Sequence, residues 1–143
     1  MSFESGGAGL WSTVDDHMSL ARIFVEGGSV DGVTILRPDT VEAMMTNQLT
    51  HHQRTTAQIL GSPLFGEGHG FRLGVACVLN PRLAAVNLCR GGVGTVGWPG
   101  AFGGWWQADP TDGTVLVFLT HNIVEVEQIT EGIGVELATT PPP

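Results

Sequence analysis

A short glycine-rich segment, Gly97-Trp98-Pro99-Gly100-Ala101, holds the residue types best suited to line a binding cleft. Glycine lets a backbone or ligand approach closely because it lacks a Cβ atom. Tryptophan offers a large apolar surface with one hydrogen-bond donor, which serves ligand cavities and protein cores alike, so the composition leaves both roles open for Trp98. Pro99 has no N–H to donate, and we therefore expect this end of its strand to form a sheet edge.

The two cysteines do not form a recognisable functional pair. Cys77 and Cys89 occur in apolar or strand-like surroundings without a flanking histidine cluster. Isolated cysteines of this kind are usually small core residues, which favours two buried free thiols over a disulfide or a metal site.

Histidines and acidic residues offer only a weak case for metal chemistry. The adjacent pair His51-His52 has diverging side chains and no spaced third ligand, which is typical of a solvated pair. A separate metal enzyme using Asp15, Asp16 or His69 is the least favoured hypothesis, because their spacing matches no ligand set. We expect no metal and no cofactor.

Phosphate ligands are also disfavoured. Gly92 to Gly97 spells G-x-G-x-x-G, but Trp98-Pro99-Gly100 follows instead of a helix whose N-terminus could hold a pyrophosphate. The net charge is −8 and the six arginines are scattered singly, so nucleic acid is not an expected partner.

Membrane association is not expected either. The longest apolar run, Val115 to Leu119, is too short to span a bilayer, and the N-terminus lacks the features of a signal peptide. The sequence predicts a soluble, cytoplasmic protein.

Two helices are predicted in the first third of the chain. Ser12-Thr13 supplies a capping hydroxyl ahead of two acidic residues, and an apolar stripe with helical spacing then runs to Gly27-Gly28. Pro38 is suited to the first position of a second, shorter helix. From Thr50 to Gly68 the periodicity is lost, which predicts a long surface loop that acts as a lid or an insertion.

Strands are predicted in the second half. Gly70 to Leu79 has strand composition, and Leu83 to Leu88 is expected to return beside it. The clearest hairpin joins Phe102 to Ala108 with Thr114 to Thr120 through a turn at 109–113. Trp105 and Trp106 should point to opposite faces of the sheet.

The last strand and the C-terminus complete the expected layers. Val115 to Leu119 does not alternate, which is typical of an internal strand covered on both faces by helices. Apolar residues at 126, 129, 133 and 137 indicate one face of a C-terminal helix. We expect a single domain over residues 1–140 and a frayed tail at 141–143.

Three blocks follow one another in a recognisable order. The first is Ser5 to Asp16 with a second turn and helix from Gly27 to Val41, and the next is Gly68-His69-Gly70-Phe71-Arg72-Leu73-Gly74. The third is Gly97 to Gly104, followed by the hairpin up to Thr120. In this order they resemble the C-terminal part of the family that joins class C β-lactamases, penicillin-binding proteins and related serine esterases.

The resemblance implies an α+β fold with three α/β/α layers, in which an antiparallel sheet packs between helices. It also implies acyl transfer by a serine in a Ser-x-x-Lys motif, with a tyrosine in a Tyr-x-Asn-like loop. By the same resemblance, Trp98 lines the substrate cleft, Gly100 allows close approach, and the backbone N–H of Ala101 donates to the oxyanion. Pro99 departs from the small or hydroxylated residue usual at its position.

The catalytic residue types that the resemblance requires are missing. The chain contains six serines but no lysine and no tyrosine, so no serine here can belong to Ser-x-x-Lys. A serine needs a nearby base to become a nucleophile, and donors without a nucleophile catalyse nothing. We therefore expect the acyl-transfer machinery to lie upstream or on another chain, and this chain to hydrolyse nothing alone.

Two classes of function remain. In the first, the chain is the C-terminal portion of a β-lactamase-like serine hydrolase, and it binds a small-molecule ester or amide once an N-terminal half completes it. In the second, it is a non-catalytic interaction module, and the strand from Thr114 to Thr120 pairs with a second copy or a partner chain through an open sheet edge.

Overall fold

The computed structural model describes residues 10–59, 61–85 and 88–121. These ranges contain three helices: α1 (Val14–Val25), α2 (Pro38–Met44) and α3 (His51–Thr56). They also contain nine short strands: β1 (Ser29–Val30), β2 (Val33–Thr34), β3 (Gln58–Ile59), β4 (Ser62–Pro63), β5 (His69–Arg72), β6 (Val75–Val78), β7 (Val96–Pro99), β8 (Trp105–Asp109) and β9 (Thr114–Phe118).

The main sheet is antiparallel and has the order β5-β6-β7-β8-β9, while β1-β2 and β3-β4 form two small separate hairpins. Consecutive strands are neighbours throughout, so each connection in the main sheet is local. The expected α+β class with an antiparallel sheet is confirmed.

Helix α1 begins where the capping signal predicts. Thr13 is the N-cap residue, and its hydroxyl accepts a hydrogen bond from the Asp16 N–H at 3.1 Å. The helix ends before Gly27 and Gly28, which both have positive φ angles. A side chain at Gly28 would collide with the carbonyl oxygen of Leu36, so the chain can reverse here only with glycine.

One face of the main sheet is covered by α1 and α2. Ile23 and Phe24 from α1 and Val41 from α2 pack with alternate residues of the strands, among them Val75, Cys77, Val96 and Ala108. The opposite face is covered mainly by irregular segments, which contribute Phe65, Leu88 and Cys89. Within the described ranges the second covering layer is therefore not a layer of long helices.

The predicted single strand from Gly70 to Leu79 is wrong. Leu73 and Gly74 both have positive φ angles and form a turn, so the segment folds into the β5-β6 hairpin. Consequently β6 pairs with β5 and β7, and the described part of Leu83 to Leu88 is not a strand.

The predicted loop from Thr50 to Gly68 is also partly wrong, because it contains α3 and the β3-β4 hairpin. Thr50 and Gln53 form a capping box, in which the Gln53 N–H donates to the Thr50 hydroxyl and the Thr50 N–H donates to Gln53 Oε1. Both His51 and His52 are exposed on this helix.

The β8-β9 hairpin is confirmed, but β9 is not an internal strand in the described part of the chain. It pairs with β8 alone and its residues alternate, since Val115 and Val117 are partly buried while Thr114, Leu116 and Phe118 are exposed. The five-residue apolar run therefore reflects β propensity rather than burial on both faces.

Some expectations lie outside the described residues. They concern the glycine-rich entry before Leu10, the C-terminal helical face at 126–137 and the tail at 141–143. None of the helices in the described ranges combines the length and apolar character needed to cross a bilayer.

Candidate functional site

The segment singled out in the sequence lies at the end of the central strand β7. Trp98 is opposite Trp106 and Pro99 is opposite Trp105 on β8, whereas only Val96 and Gly97 pair with β6. Pro99 therefore lies where β7 has no neighbour on the β6 side, as its missing N–H requires. The strand end is open on this side.

A tight turn follows β7 and presents Ala101. The Gly100 N–H donates to the carbonyl oxygen of Gly104 at 2.6 Å, and the Gly103 N–H donates to that of Gly100 at 3.0 Å. Ala101 is exposed at the tip of this turn, and its N–H has no hydrogen-bond partner among the described residues. It is thus free to donate to a group arriving from outside the described part.

Trp98 both packs against the protein interior and lines cavities, which are the two roles that the sequence left open. Its ring packs edge-to-face on Phe71, with 5.1 Å between ring centroids. The same side chain is only partly buried and borders two cavities. Packing on Phe71 fixes the ring, which leaves its remaining surface for the cavities.

Two cavities meet at Trp98, Pro99 and Gly100. The α1-side cavity, of about 230 Å³, is lined in addition by His17, Gly104, Trp105, Trp106 and Leu119. The hairpin-side cavity, of about 410 Å³, is lined in addition by Ile59, Leu64, Leu88 and Ala101. Of the three site residues expected by resemblance, Trp98 and Gly100 therefore border both cavities, and Ala101 borders the hairpin-side cavity.

His17 is a site residue that the sequence analysis did not identify. It lies beside Trp106, with 5.7 Å between ring centroids, and its buried Nε2 has no hydrogen-bond partner in the described ranges. A signal was available, because His17 is three residues after Val14 and four before Ala21 and so falls on the apolar stripe of α1.

Trp105 and Trp106 point to opposite faces, as predicted. Trp106 packs against Phe24 of α1 on one face. On the other face the Trp105 indole N–H donates to the carbonyl oxygen of Leu88. Trp105 therefore anchors the segment that supplies Leu88 to the hairpin-side cavity.

His69 anchors the same segment from β5. Its Nε2 donates to the carbonyl oxygen of Cys89 at 2.7 Å, and its Nδ1 accepts from the Ala85 N–H at 3.3 Å. Both bonds require the neutral ring with the proton on Nε2. Burial lowers the pKa of His69, and the bond to Cys89 opposes this only partly.

The remaining candidates for chemistry are not assembled into a site. Cys77 and Cys89 are buried free thiols, and burial raises the pKa of Cys89 to about 12, so this thiol stays protonated. Asp15 and Asp16 are exposed on α1. In the ranges that the structure describes, no three histidine, cysteine or acidic side chains converge as metal ligands.

The G-x-G-x-x-G segment from Gly92 to Gly97 leads into strand β7 and not into a helix. Asp109 accepts a hydrogen bond from the Gly92 N–H at 2.8 Å and holds this turn against the end of β8. The segment therefore connects and positions the site strand.

Comparison with known proteins places this geometry in a family. The Beta-lactamase family model matches residues 1–128. Two curated Mycobacterium tuberculosis proteins, the uncharacterized protein MT1414 of strain CDC 1551 / Oshkosh and protein Rv1367c of strain ATCC 25618 / H37Rv, are each 43% identical over 121 residues, which is 85% of this chain. The chain spans 30% of the length of each of these relatives.

A solved structure gives the same indication. EstCE1, described as a hydrolase with promiscuous acyltransferase activity, matches 83% of this chain and 29% of its own chain, with a TM-score of 0.57 and 27% sequence identity. The fold is thus that of a hydrolase related to β-lactamases, and Trp98 and Pro99 lie on its central strand, beside the two cavities. On this sequence and structural agreement, the chain belongs to the Beta-lactamase family.

Proposed function

We propose that this chain is the C-terminal portion of a serine hydrolase of the esterase or β-lactamase type and forms one wall of its acyl-transfer cleft. The observation that carries the proposal is the position of Trp98, Pro99 and Gly100. They end the central strand and border both cavities, next to a backbone N–H at Ala101 that is free of described partners.

The proposed division of labour follows from the residue types. An ester or amide carbonyl lies against Trp98 and Gly100, and the Ala101 N–H donates to its oxygen as negative charge develops in the tetrahedral intermediate. The attacking serine, its lysine and the tyrosine come from residues outside this sequence, which contains no lysine and no tyrosine. This chain supplies binding and an oxyanion donor but no activated nucleophile.

The first test uses the purified chain alone. We expect no hydrolysis of p-nitrophenyl butyrate or of a chromogenic cephalosporin above the buffer rate, and no mass increase after incubation with a fluorophosphonate. Turnover that the fluorophosphonate abolishes would show that a nucleophile is present in this chain and would contradict the proposed division of labour.

The second test supplies the missing groups. In a chimera, this chain replaces the segment of EstCE1 that it matches, so that EstCE1 contributes the rest of the fold. We expect ester hydrolysis, with kcat/KM reduced about tenfold or more by Trp98→Ala because a cleft wall is removed. Trp11→Ala is the matched control, since Trp11 is 99% exposed. A folded chimera without activity would contradict the proposal.

A second candidate function rests on the edge strand β9. In the described part of the chain its outer edge has no strand partner, and Leu116 and Phe118 are 51% and 58% exposed. Such an edge can pair with another chain, so an interaction module that forms a homodimer or binds a partner chain is the alternative.

Light scattering at increasing concentration separates the two candidates. The interaction module predicts a dimer that Val117→Pro disrupts, because proline removes a strand N–H. A monomer at all concentrations would contradict the alternative and leave the hydrolase proposal unaffected.

A further inference from the structure

We propose that the hairpin-side cavity is the acyl subsite and accepts an uncharged, apolar acyl group, with Ile59 and Leu64 as residues that determine specificity. This inference rests on the proposed function, because it assigns a substrate class to one side of the same cleft.

The location of the proposed oxyanion donor favours the hairpin-side cavity as the one that borders the reacting carbonyl. Ala101 lines the hairpin-side cavity and does not line the α1-side cavity. The acyl chain is bonded to the carbonyl carbon whose oxygen would accept from the Ala101 N–H. A carbonyl held there places one of its two substituents, the acyl chain or the alkoxy group, beside Ile59 and Leu64, and the proposal assigns this place to the acyl chain.

The lining of this cavity is apolar. Every described residue around it is aliphatic, aromatic, proline or glycine: Ile59, Leu64, Leu88, Trp98, Pro99, Gly100 and Ala101. The volume of about 410 Å³ lies within the range of small-ligand sites. The α1-side cavity differs because it includes His17.

None of the described residues that line this cavity is basic. Arg54 on α3, the basic residue nearest in sequence to Ile59, is not among the lining residues. It donates to the carbonyl oxygen of Gly66 at 3.3 Å and lies 3.7 Å from a Glu67 carboxylate oxygen, while its buried Nε has no partner among the described residues. The net charge of −8 further disfavours an anionic ligand. A carboxylate would therefore lose hydration in this cavity without an ionic partner.

Ile59 and Leu64 are arranged to contact a chain that enters the cavity. Leu64 is fixed, because its N–H donates to the carbonyl oxygen of Ala57 at 2.9 Å and its side chain packs against the core around Phe65. Ile59 is 53% exposed at the opposite end of the β3-β4 hairpin, so an acyl chain would cover apolar surface now in contact with water.

Binding to the chain as it exists tests the cavity without any need for catalysis. The neutral fluorophore N-phenyl-1-naphthylamine is bound first, and ethyl butyrate, ethyl hexanoate and ethyl octanoate then displace it. We expect displacement to improve about fourfold for each methylene, which corresponds to about 0.8 kcal/mol. Hexanoate, which carries a carboxylate in place of the neutral ester, should displace at least about tenfold more weakly than the neutral esters.

Variants locate the binding. Ile59→Asp and Ile59→Ala should weaken fluorophore binding, the aspartate by about tenfold or more, because it places a charge beside the bound chain. Val33→Asp is the matched control, since Val33 is an exposed apolar strand residue on β2, outside the residues lining this cavity. Absent fluorophore binding, equal displacement by carboxylates, or an unaltered Ile59→Asp variant would each overturn the inference.

The chimera with EstCE1 separates this inference from the proposed function. If the chimera hydrolyses p-nitrophenyl esters, Ile59→Asp should lower kcat/KM for the hexanoate ester much more than for the acetate ester. An active chimera whose chain-length preference ignores this substitution refutes the acyl subsite while the proposed function stands. A folded but inactive chimera refutes the proposed function even if the chain alone binds neutral esters.

Discussion

His69 shows how one buried residue can control a wall of the candidate cleft. Its neutral ring bridges Ala85 and Cys89, on either side of the segment that contributes Leu88 to the hairpin-side cavity. A second proton on Nδ1 would face the Ala85 N–H, so protonation breaks one of the two bonds. The segment should therefore be most stable when the ring is neutral.

Folding stability should consequently fall at mildly acidic pH. Because the pKa of His69 is lowered from its usual 6.5 in the folded chain, the unfolded chain takes up the proton first as the pH drops below that value. The free energy of unfolding, measured with urea between about pH 5 and about pH 8, should decrease toward the acidic end.

The variant His69→Gln isolates this effect. It should be less stable by about 1–3 kcal/mol at neutral pH, through loss of a buried hydrogen bond, and should show a flatter profile above about pH 5. Asp109 does not titrate in this range. Burial raises its pKa, but hydrogen bonds from Thr111 and the Gly92 N–H lower it further, so the net change is a lowering. The stability that the Asp109 carboxylate gives the folded chain is therefore lost only below pH 3.8. An equally steep profile in the variant would contradict the role of His69.

Two glycines of the same segment should respond differently to a methyl group. A Cβ atom at Gly97 would collide with the Trp106 carbonyl oxygen and come within 3.1 Å of Cys89 Cβ, whereas one at Gly100 would have its nearest contact at 3.4 Å. We expect Gly97→Ala to lower the free energy of unfolding by about 1–3 kcal/mol and Gly100→Ala to change it by less than about 0.5 kcal/mol. If both variants lost the same free energy of unfolding in urea, the close contact between Gly97 on β7 and Trp106 on β8 would be contradicted.

Elements with a local chemical signal could be predicted from the sequence. The capping hydroxyl of Thr13, the proline at the start of α2 and the turn between β8 and β9 each place an element correctly. The turn at Leu73-Gly74 was missed because leucine rarely adopts a positive φ angle, so the residues on both sides read as one strand. Burial of β9 was overestimated because composition cannot distinguish an edge strand from a central one.

Helix α3 begins at a local sequence signal, although its residues lack the periodicity that predicts a helix. Its six residues contain no buried side chain, so the helix has no apolar stripe for periodicity to detect. The Thr50-x-x-Gln53 capping box holds its start instead. This helix leads directly into the β3-β4 hairpin and therefore into the wall formed by Ile59 and Leu64.

Removing the capping box should loosen this element. Thr50→Ala is expected to reduce stability by about 1 kcal/mol and to accelerate amide hydrogen exchange at Gln53 and Arg54. Thr55→Ala is the matched control, because the Thr55 hydroxyl donates only to the carbonyl oxygens of His51 and His52. Similar exchange rates in the two variants would show that the capping box does not hold the helix.

Across the described part of the chain, the residues form a five-stranded antiparallel sheet with two cavities at the end of β7. The resemblance implies cleft and oxyanion roles for Trp98, Gly100 and Ala101, and these residues lie at the end of β7 beside the hairpin-side cavity. It could not predict His17, Ile59, Leu64 or Leu88 as their neighbours, because these residues come from elements distant in sequence. Tertiary packing of α1 and of the segments near β3-β4 and β7 places them there.

The proposed cleft depends on oxyanion donation by the Ala101 N–H, and kcat of the EstCE1 chimera measures this contribution. Ala101→Pro removes the N–H from an exposed turn residue, while Ala101→Gly retains it. We predict that the proline variant loses about 100- to 1,000-fold in kcat and that the glycine variant stays within about threefold of the parent. A folded Ala101→Pro chimera with the parent's kcat would contradict the account.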